Sequence, residues 1–530
     1  MGEATSPTKV RPSAVTKEIS RLLAGKILLG RINSGTQRVY SYFMTTTALI
    51  DFPSHNPATG EEIGRYRNYT AEEVAAAVDR AHASSQAWQA LGFSGRKKIL
   101  VAWNAVLTKR LTELAELVAL ETGKPLSDAT LEISLAIGHL DWASKNASKY
   151  LAPVSRNPGL IMANMKARVE RAPYGVVGVI GPWNYPVFTP MGSIAYSLAA
   201  GNTVVFKPSE YTPGVGAWLG STFAEVAPFA DIFQVVTGLA ATGAALTGAA
   251  VDKIAFTGST RTAKKVAASA ADRMIPTVLE CGGKDPVIID RDANIKKAAE
   301  YALWLAMSNA GQTCIGAERV YVHQAVADEF IREIGAMAKE IHPGVNKNYG
   351  PATMPSQLNV IQSHIDDAAA KGAKFLIGGV DSVQPPYVQP TIMLDVPEDS
   401  LAITEETFGP TLTINRVADM DEAIRLANAT RYGLGASVWS KRNGEKIASK
   451  LVTGMVSINS VIGFAGIASV PFGGVKDSGY GRIHGPEGLH EFTYLRSVVS
   501  ERFALPIAFT TFKRTKFADK FITGVMKFLH

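Results

Sequence analysis

Between residues 175 and 289, short β-branched runs alternate with helical stretches. The runs are Gly175–Ile180, Thr203–Phe206, Ile232–Val236, Lys253–Phe256 and Val287–Ile289. Strands separated by helices argue for a parallel sheet with helices on its faces. A second alternation fills residues 300 to 480, with strand candidates at Val320–Val322, Leu412–Arg416, Ala436–Val438 and Val456–Ile458. The reading is two α/β domains, with no internal repeat at solenoid period. Ahead of them lie a turn-rich segment, Pro53–Gly60, and alanine-rich helical patterns at Ala71–Trp88 and Arg96–Thr122. Residues 161–172 (IMANMKARVERA) alternate in places like an exposed strand.

The net charge of +7 invites nucleic-acid or membrane readings, so its location matters. Residues 1–44 carry seven Lys and Arg against two Glu, and residues 501–530 carry six against two acids. The body between them is slightly acidic, which does not suit a nucleic-acid groove. No run of eighteen apolar residues predicts a spanning helix. The start lacks the pattern of a secretory signal. Residues 15–31 have the spacing of a basic amphipathic helix, and Gly2 with Ser6 fits the short myristoylation pattern. Two cysteines in 530 residues exclude a disulfide framework and point to a reducing, cytoplasmic compartment.

Cys314 lies in NAGQTC, after the helical pattern 294–307 and past Gly311. That puts it on a loop beside a helix end, where a nearby base can make a cysteine nucleophilic. A small buried hydrophobe is the plainer alternative. Glu280 stands in LECGGK beside two glycines that permit close backbone approach to a ligand. Asn184, in GPWNYP directly after a strand, could offer an amide N–H to a developing oxyanion, with an Asx-turn as the plainer alternative. KPSE (207–210) follows another strand. FTGST (256–260) follows a third and opens a helix, whose start suits a phosphate. No G-x-G-x-x-G occurs, so spacing alone leaves dinucleotide binding open.

Six motifs in order resemble the aldehyde dehydrogenase superfamily: PWNYP (182–186), KPSE (207–210), FTGST (256–260), LECGGK (279–284), GQTC (311–314) and EETFGP (405–410). PFGGVKDSGYGR (471–482) resembles the closing signature, and the likeness covers about residues 50–500. It implies two parallel-sheet α/β domains, one Rossmann-like for the cofactor and one catalytic, plus a β-hairpin oligomerisation element. The implied boundaries are a basic extension at 1–50, an NAD-binding domain at 51–152 and 173–282, and a catalytic domain at 283–480. The oligomerisation element takes 153–172 and 481–500, and a basic amphipathic tail takes 501–530. A dimer or tetramer follows.

The resemblance also implies roles. Cys314 is the nucleophile, and Asn184 with the Cys314 backbone N–H holds the oxyanion. Glu280 is the base that activates water to hydrolyse a thioester. Lys207 and Glu210 match positions at the adenosine ribose. Trp183, Gly258 and Ser259 match the cofactor cleft, and Glu406 and Phe408 match the nicotinamide ribose and ring. No metal is expected. The Glu210 carboxylate suits free ribose hydroxyls and repels a 2′-phosphate, favouring NAD over NADP. A non-catalytic protein on the same fold is the reading from another class, and the presence of Cys314, Glu280 and Asn184 counts against it.

Three positions depart from the family's pattern. Cys281 replaces a usual leucine, raising a reversible Cys281–Cys314 disulfide beside the plainer buried hydrophobe. Ser193 stands where many members have lysine, and Ala263 where a glycine often ends the GSTxxG run. Enzymes for succinic semialdehyde often hold its carboxylate with arginines; this chain has Gly192 and Ser308 there, with Phe188 and Trp304 nearby. An apolar aldehyde is therefore expected, with succinic semialdehyde as the alternative. In the tail, Phe517, Phe521, Val525 and Phe528 recur at helical spacing among lysines. This reads as a membrane-surface helix, or as a helix packed on the body or a neighbouring subunit.

Overall fold

The computed structural model describes residues 51–507 and 510–529. The expected 15–31 helix and the Gly2 pattern lie outside the described residues.

Two largely parallel sheets carry the body. The first has six strands, ordered Gly479–Tyr480, Thr277–Cys281, Lys253–Gly258, Val176–Ile180, Thr203–Lys207 and Phe233–Val235. All pairs are parallel except the outermost, Gly479–Tyr480 against Thr277–Cys281. Val176–Ile180 is first in the chain yet central in the sheet. Its neighbours leave in opposite directions, so the order reverses there. A crevice opens at the carboxyl ends of strands at such a point, and ligands collect in it. The second sheet has seven strands, from Lys374–Ile377 at one edge through Thr411–Val417, Ala317–His323 and Asp285–Ile289 to Ser457–Ile458. It too is parallel except for its first pair.

Each strand predicted from a β-branched run is a strand. Central strands of these sheets are buried on both faces, so apolar residues follow one another without alternation. Asp285–Ile289 is buried throughout, and so is Thr203–Lys207. Helices cover the faces. Ala71–Ala90 begins at a capping box, in which Thr70 accepts from the Glu73 N–H and Glu73 accepts from the Thr70 N–H.

Two expectations need correction. The helical pattern 96–122 is two helices, Gly92–Lys109 and Leu111–Thr122. Arg110 leaves helical geometry at φ −105° and ψ 23°, where its guanidinium binds Glu113 and, at 2.6 Å, Glu225. The exposed strand begins at Met165; residues 161–164 form a turn. This strand, Met165–Pro173, pairs along its whole length with Thr493–Glu501 and partly with Val154–Arg156, giving a separate three-stranded antiparallel sheet.

Candidate active site

Cys314 is carried by a loop that its neighbours hold rigidly. After the helix Ile295–Met307, residues Asn309, Ala310 and Gly311 all take left-handed backbone angles. Only glycine fits at 311, because a Cβ there would overlap the Gly409 carbonyl. The Asn309 amide donates to the carbonyls of Asn184 and Gln312, both at 3.2 Å. The Gln312 amide donates to the Asn309 carbonyl at 2.9 Å, and its oxygen accepts from the Thr353 N–H at 2.8 Å. The strained turn is thus fixed from both sides.

Asn184 faces this loop from the carboxyl end of the central strand. Its Nδ2 donates to the Gln312 carbonyl at 2.9 Å, which leaves the second amide hydrogen for a ligand. A buried ion pair sets its backbone. Lys124 Nζ donates to Glu132 Oε2 and to the Asn184 carbonyl, both at 2.7 Å. Glu132 Oε1 accepts from the N–H groups of Val187 and Phe188. Lys124 also sits 4.1 Å from the centre of the Tyr185 ring. Both charged side chains are fully buried.

Glu280 lies on the strand Thr277–Cys281 and is 3% exposed. Neither carboxylate oxygen accepts a well-formed hydrogen bond. Burial pushes the carboxyl up to about 7; the nearby Cys314 thiol and Thr257 hydroxyl pull it down by less. A carboxyl near 7 is matched to general-base work at neutral pH. Burial and then the Glu280, Glu406 and Asp285 carboxyls hold the Cys314 thiol well above its usual range. At rest the sulfur keeps its proton, beside the Glu280 carboxyl.

Cys314 lines two cavities. The larger, about 590 Å³, is lined by Trp183, Asn184, Gly258, Ser259, Glu280, Cys314, Glu406 and Phe408 among others. Eight of the residues singled out by sequence therefore meet in one place. Phe408, at φ 53°, meets Trp183 edge-on with ring centres 5.6 Å apart. Ser259 caps the helix Thr260–Ala271 and accepts from the Thr262 N–H, so a helix N-terminus points into the cavity wall. Glu406 accepts from the Gly283 N–H at 3.2 Å, and a Cβ on Gly282 would overlap its carboxylate. Lys207 and Glu210 do not line this cavity. They form a 3.3 Å ion pair at the end of the neighbouring strand, Lys207 level with Ile180. Arg261 and Lys264 line the cavity beside Ser259 and escaped the sequence reading. Their only signal was a basic first turn on that helix.

A smaller cavity, about 70 Å³, is also lined by Cys314. Leu131, Leu135, Phe188, Trp304, Ile462 and Phe472 make it apolar. Asp128 and Glu132 are its acids, and among the described residues no Lys or Arg lines it. Cys281 and Cys314 both line the larger cavity, with no disulfide between them in this structure. Both thiols are free, and Cys281 belongs to the apolar cluster of Leu279, Ala263 and Val266, whereas Cys314 packs against the cluster of Val187 and Met191. Burial and then Glu280 push the Cys281 thiol up to about 12.

The larger cavity fits a nicotinamide dinucleotide. It lies at the point of strand reversal, ends on a capped helix start, and brings a buried carboxylate without partners up to a thiol. The model of the aldehyde dehydrogenase family matches residues 43–498. A protein of Mycolicibacterium smegmatis with the provisional name succinate-semialdehyde dehydrogenase [NADP(+)] is 36% identical, over 85% of this chain and 89% of its own. A 4,4'-diapolycopene aldehyde oxidase of Methylomonas sp is also 36% identical, over 87% of each chain. Among solved structures, PnpE from Pseudomonas sp. WBC-3 superposes with a TM-score of 0.83 at 34% identity, covering 88% of this chain and 96% of that one. PnpE has also been solved with nicotinamide adenine dinucleotide. The chain belongs to the aldehyde dehydrogenase family.

Proposed function

We propose that the protein oxidises uncharged, apolar aldehydes to carboxylic acids, with NAD preferred over NADP. The observation that carries this is that Cys314 lines both a polar cleft holding Glu280 and an apolar cavity that, among the described residues, no Lys or Arg lines. The aldehyde enters from the apolar side, and Cys314, its thiol proton released to solvent in the open cleft, attacks the carbonyl carbon. The free Asn184 amide hydrogen and the Cys314 N–H stabilise the oxyanion, as neutral donors that leave the sulfur reactive. The nicotinamide cofactor, when bound, supplies the hydride acceptor. The resulting thioester is hydrolysed by a water that gives its proton to Glu280. Acid leaves and the sulfur is restored. On this reading the six-stranded domain (51–152 and 173–282) holds the cofactor and residues 283–480 carry the nucleophile.

The names of the relatives point both ways on substrate, one to succinate semialdehyde and one to 4,4'-diapolycopene aldehyde. A second carboxylate would enter a cavity lined by Asp128 and, among the described residues, by no Lys or Arg. An arginine at 192 has no room either: a Cβ on Gly192 would lie 2.5 Å from His484 Nε2 and 2.9 Å from Ile483. Decanal is expected to exceed succinic semialdehyde in kcat/KM by at least about tenfold, one buried charge being the difference. A preference for the charged substrate would overturn the assignment. In the same assay NAD should outperform NADP, and Glu210→Gln should narrow that ratio by about tenfold by removing a like charge. An unchanged ratio would remove Glu210 from cofactor choice.

Self-assembly through Thr493–Glu501 completes the reading. This strand has an unpaired outer edge among the described residues and exposes Tyr494, Leu495 and Val499. Native proteins rarely leave such an edge uncovered.

A further inference from the structure

The tail helix, Lys516–Leu529, divides into three faces. At roughly 100° per residue, Ala518, Ile522 and Val525 share the face turned to the body. Ala518 is buried there, and Ile522 and Val525 border an apolar cavity of about 360 Å³ against Leu160, Ile161 and Phe503. Beside that face runs an aromatic stripe in which Phe517 is 65% and Phe528 87% exposed. Next to the aromatics run Lys516, Lys520 and Lys527, all exposed. The turn before Met165 joins the same surface. Arg502 N–H donates to the Asn164 carbonyl at 2.8 Å, which fastens the tail's start to it. That turn exposes Leu160, Ile161 and Met162, and Phe512 is fully exposed.

Large apolar side chains from two distant stretches of chain therefore crowd one basic surface. Asp519 is the one acid after Glu501, and it is paired with Arg514 at 2.7 Å. We propose that this surface docks on an anionic lipid bilayer. The helix would lie in the interface plane, aromatics among the acyl-chain ends and lysines at the headgroups. Charge decides the occupant. A second copy meeting this face about a two-fold axis would set the lysine stripe against itself, whereas anionic headgroups supply the missing counter-charge. Delivery of membrane-dissolved aldehyde to Cys314 would follow, and that benefit rests on the substrate assignment above. The docking itself does not.

The test uses the full chain sedimented with phosphatidylcholine vesicles, with and without phosphatidylglycerol. Binding is expected only with the anionic lipid and should weaken as salt rises. The Lys516→Glu/Lys520→Glu/Lys527→Glu variant and the Phe517→Ser/Phe528→Ser variant should each lose at least tenfold in partitioning, at about fivefold per lysine. Turnover of a short, water-soluble aldehyde should be unchanged in both, which separates lost docking from lost folding and from a wrong substrate. Vesicle binding equal to the parent's in either variant would overturn the proposal. So would a parent that ignores anionic vesicles, or an aromatic variant that splits an oligomer in light scattering.

Discussion

Cys314→Ala is expected to lower kcat by a factor of about 10⁴, because among the described residues no other thiol lines both cavities. The measurement is formation of reduced cofactor with decanal. Glu280→Gln should fail differently. Acylation still releases one equivalent of reduced cofactor per site, and turnover then stalls at the thioester. A burst without steady state marks the base; loss of the burst as well would assign Glu280 to thiol activation instead. The pH dependence follows from the raised carboxyl. Only the carboxylate accepts a proton from water, so kcat in the parent should rise through about pH 7. Stability runs the opposite way. The folded pKa lies above the ordinary carboxyl value near 4.5, so the group's contribution is present in full below pH 4.5 and is lost as pH rises through about 7. Glu280→Gln removes that loss. The inactive variant should therefore be more stable than the parent at pH 8 in chemical denaturation. A variant both inactive and destabilised at pH 8 would point to a structural role for this carboxyl. Strain of this kind, held at a site for its chemistry, is a recurrent cost of activity.

The sequence carried the parts of this site that local chemistry dictates. Parallel strands such as Asp285–Ile289 need apolar residues on both faces, so their runs stand out. The motif residues sit just past strand ends, where the chain must turn and where small or polar residues are required. Motif order then brought Asn184, Glu280 and Cys314 together, though they lie far apart in the chain. The apolar cavity was less legible. Leu131 and Leu135 come from the helix Leu126–Tyr150, and Ile462 and Phe472 from a loop region over 300 residues later. Each looks like ordinary core or surface until the chain is folded. The break at Arg110 was hidden for a related reason, since its partner Glu225 lies on a separate element. The start of the 165–173 strand depended on pairing with 493–501, which no local pattern contains.

Lys124 and Glu132 are a buried ion pair beside the site that the sequence concealed. Neither lies in a motif, yet together they hold the backbone on both sides of Tyr185. Lys124 fixes the Asn184 carbonyl from one end, and Glu132 takes the N–H groups of Val187 and Phe188 at the other. Fully buried ions are costly, and removing one partner leaves the other uncompensated. Lys124→Met is therefore expected to cost about 3–5 kcal/mol in unfolding free energy. The double variant Lys124→Met/Glu132→Gln removes both charges and should recover part of that loss, a coupling readable in a double-mutant cycle. Stability alone would make the pair structural. Its effect on Asn184 gives the second readout. In the double variant the Asn184 carbonyl lacks its strongest donor and keeps only the Asn309 amide at 3.2 Å. The oxyanion donor should then lose alignment, and kcat should fall by about 10²-fold while KM for NAD stays near the parent's. An unchanged kcat in a folded double variant would show that the loop keeps Asn184 in place without the pair. Lys124→Arg offers a conservative check. The guanidinium retains the charge but not the single-point geometry that serves two acceptors at 2.7 Å, so it should restore stability more fully than it restores kcat.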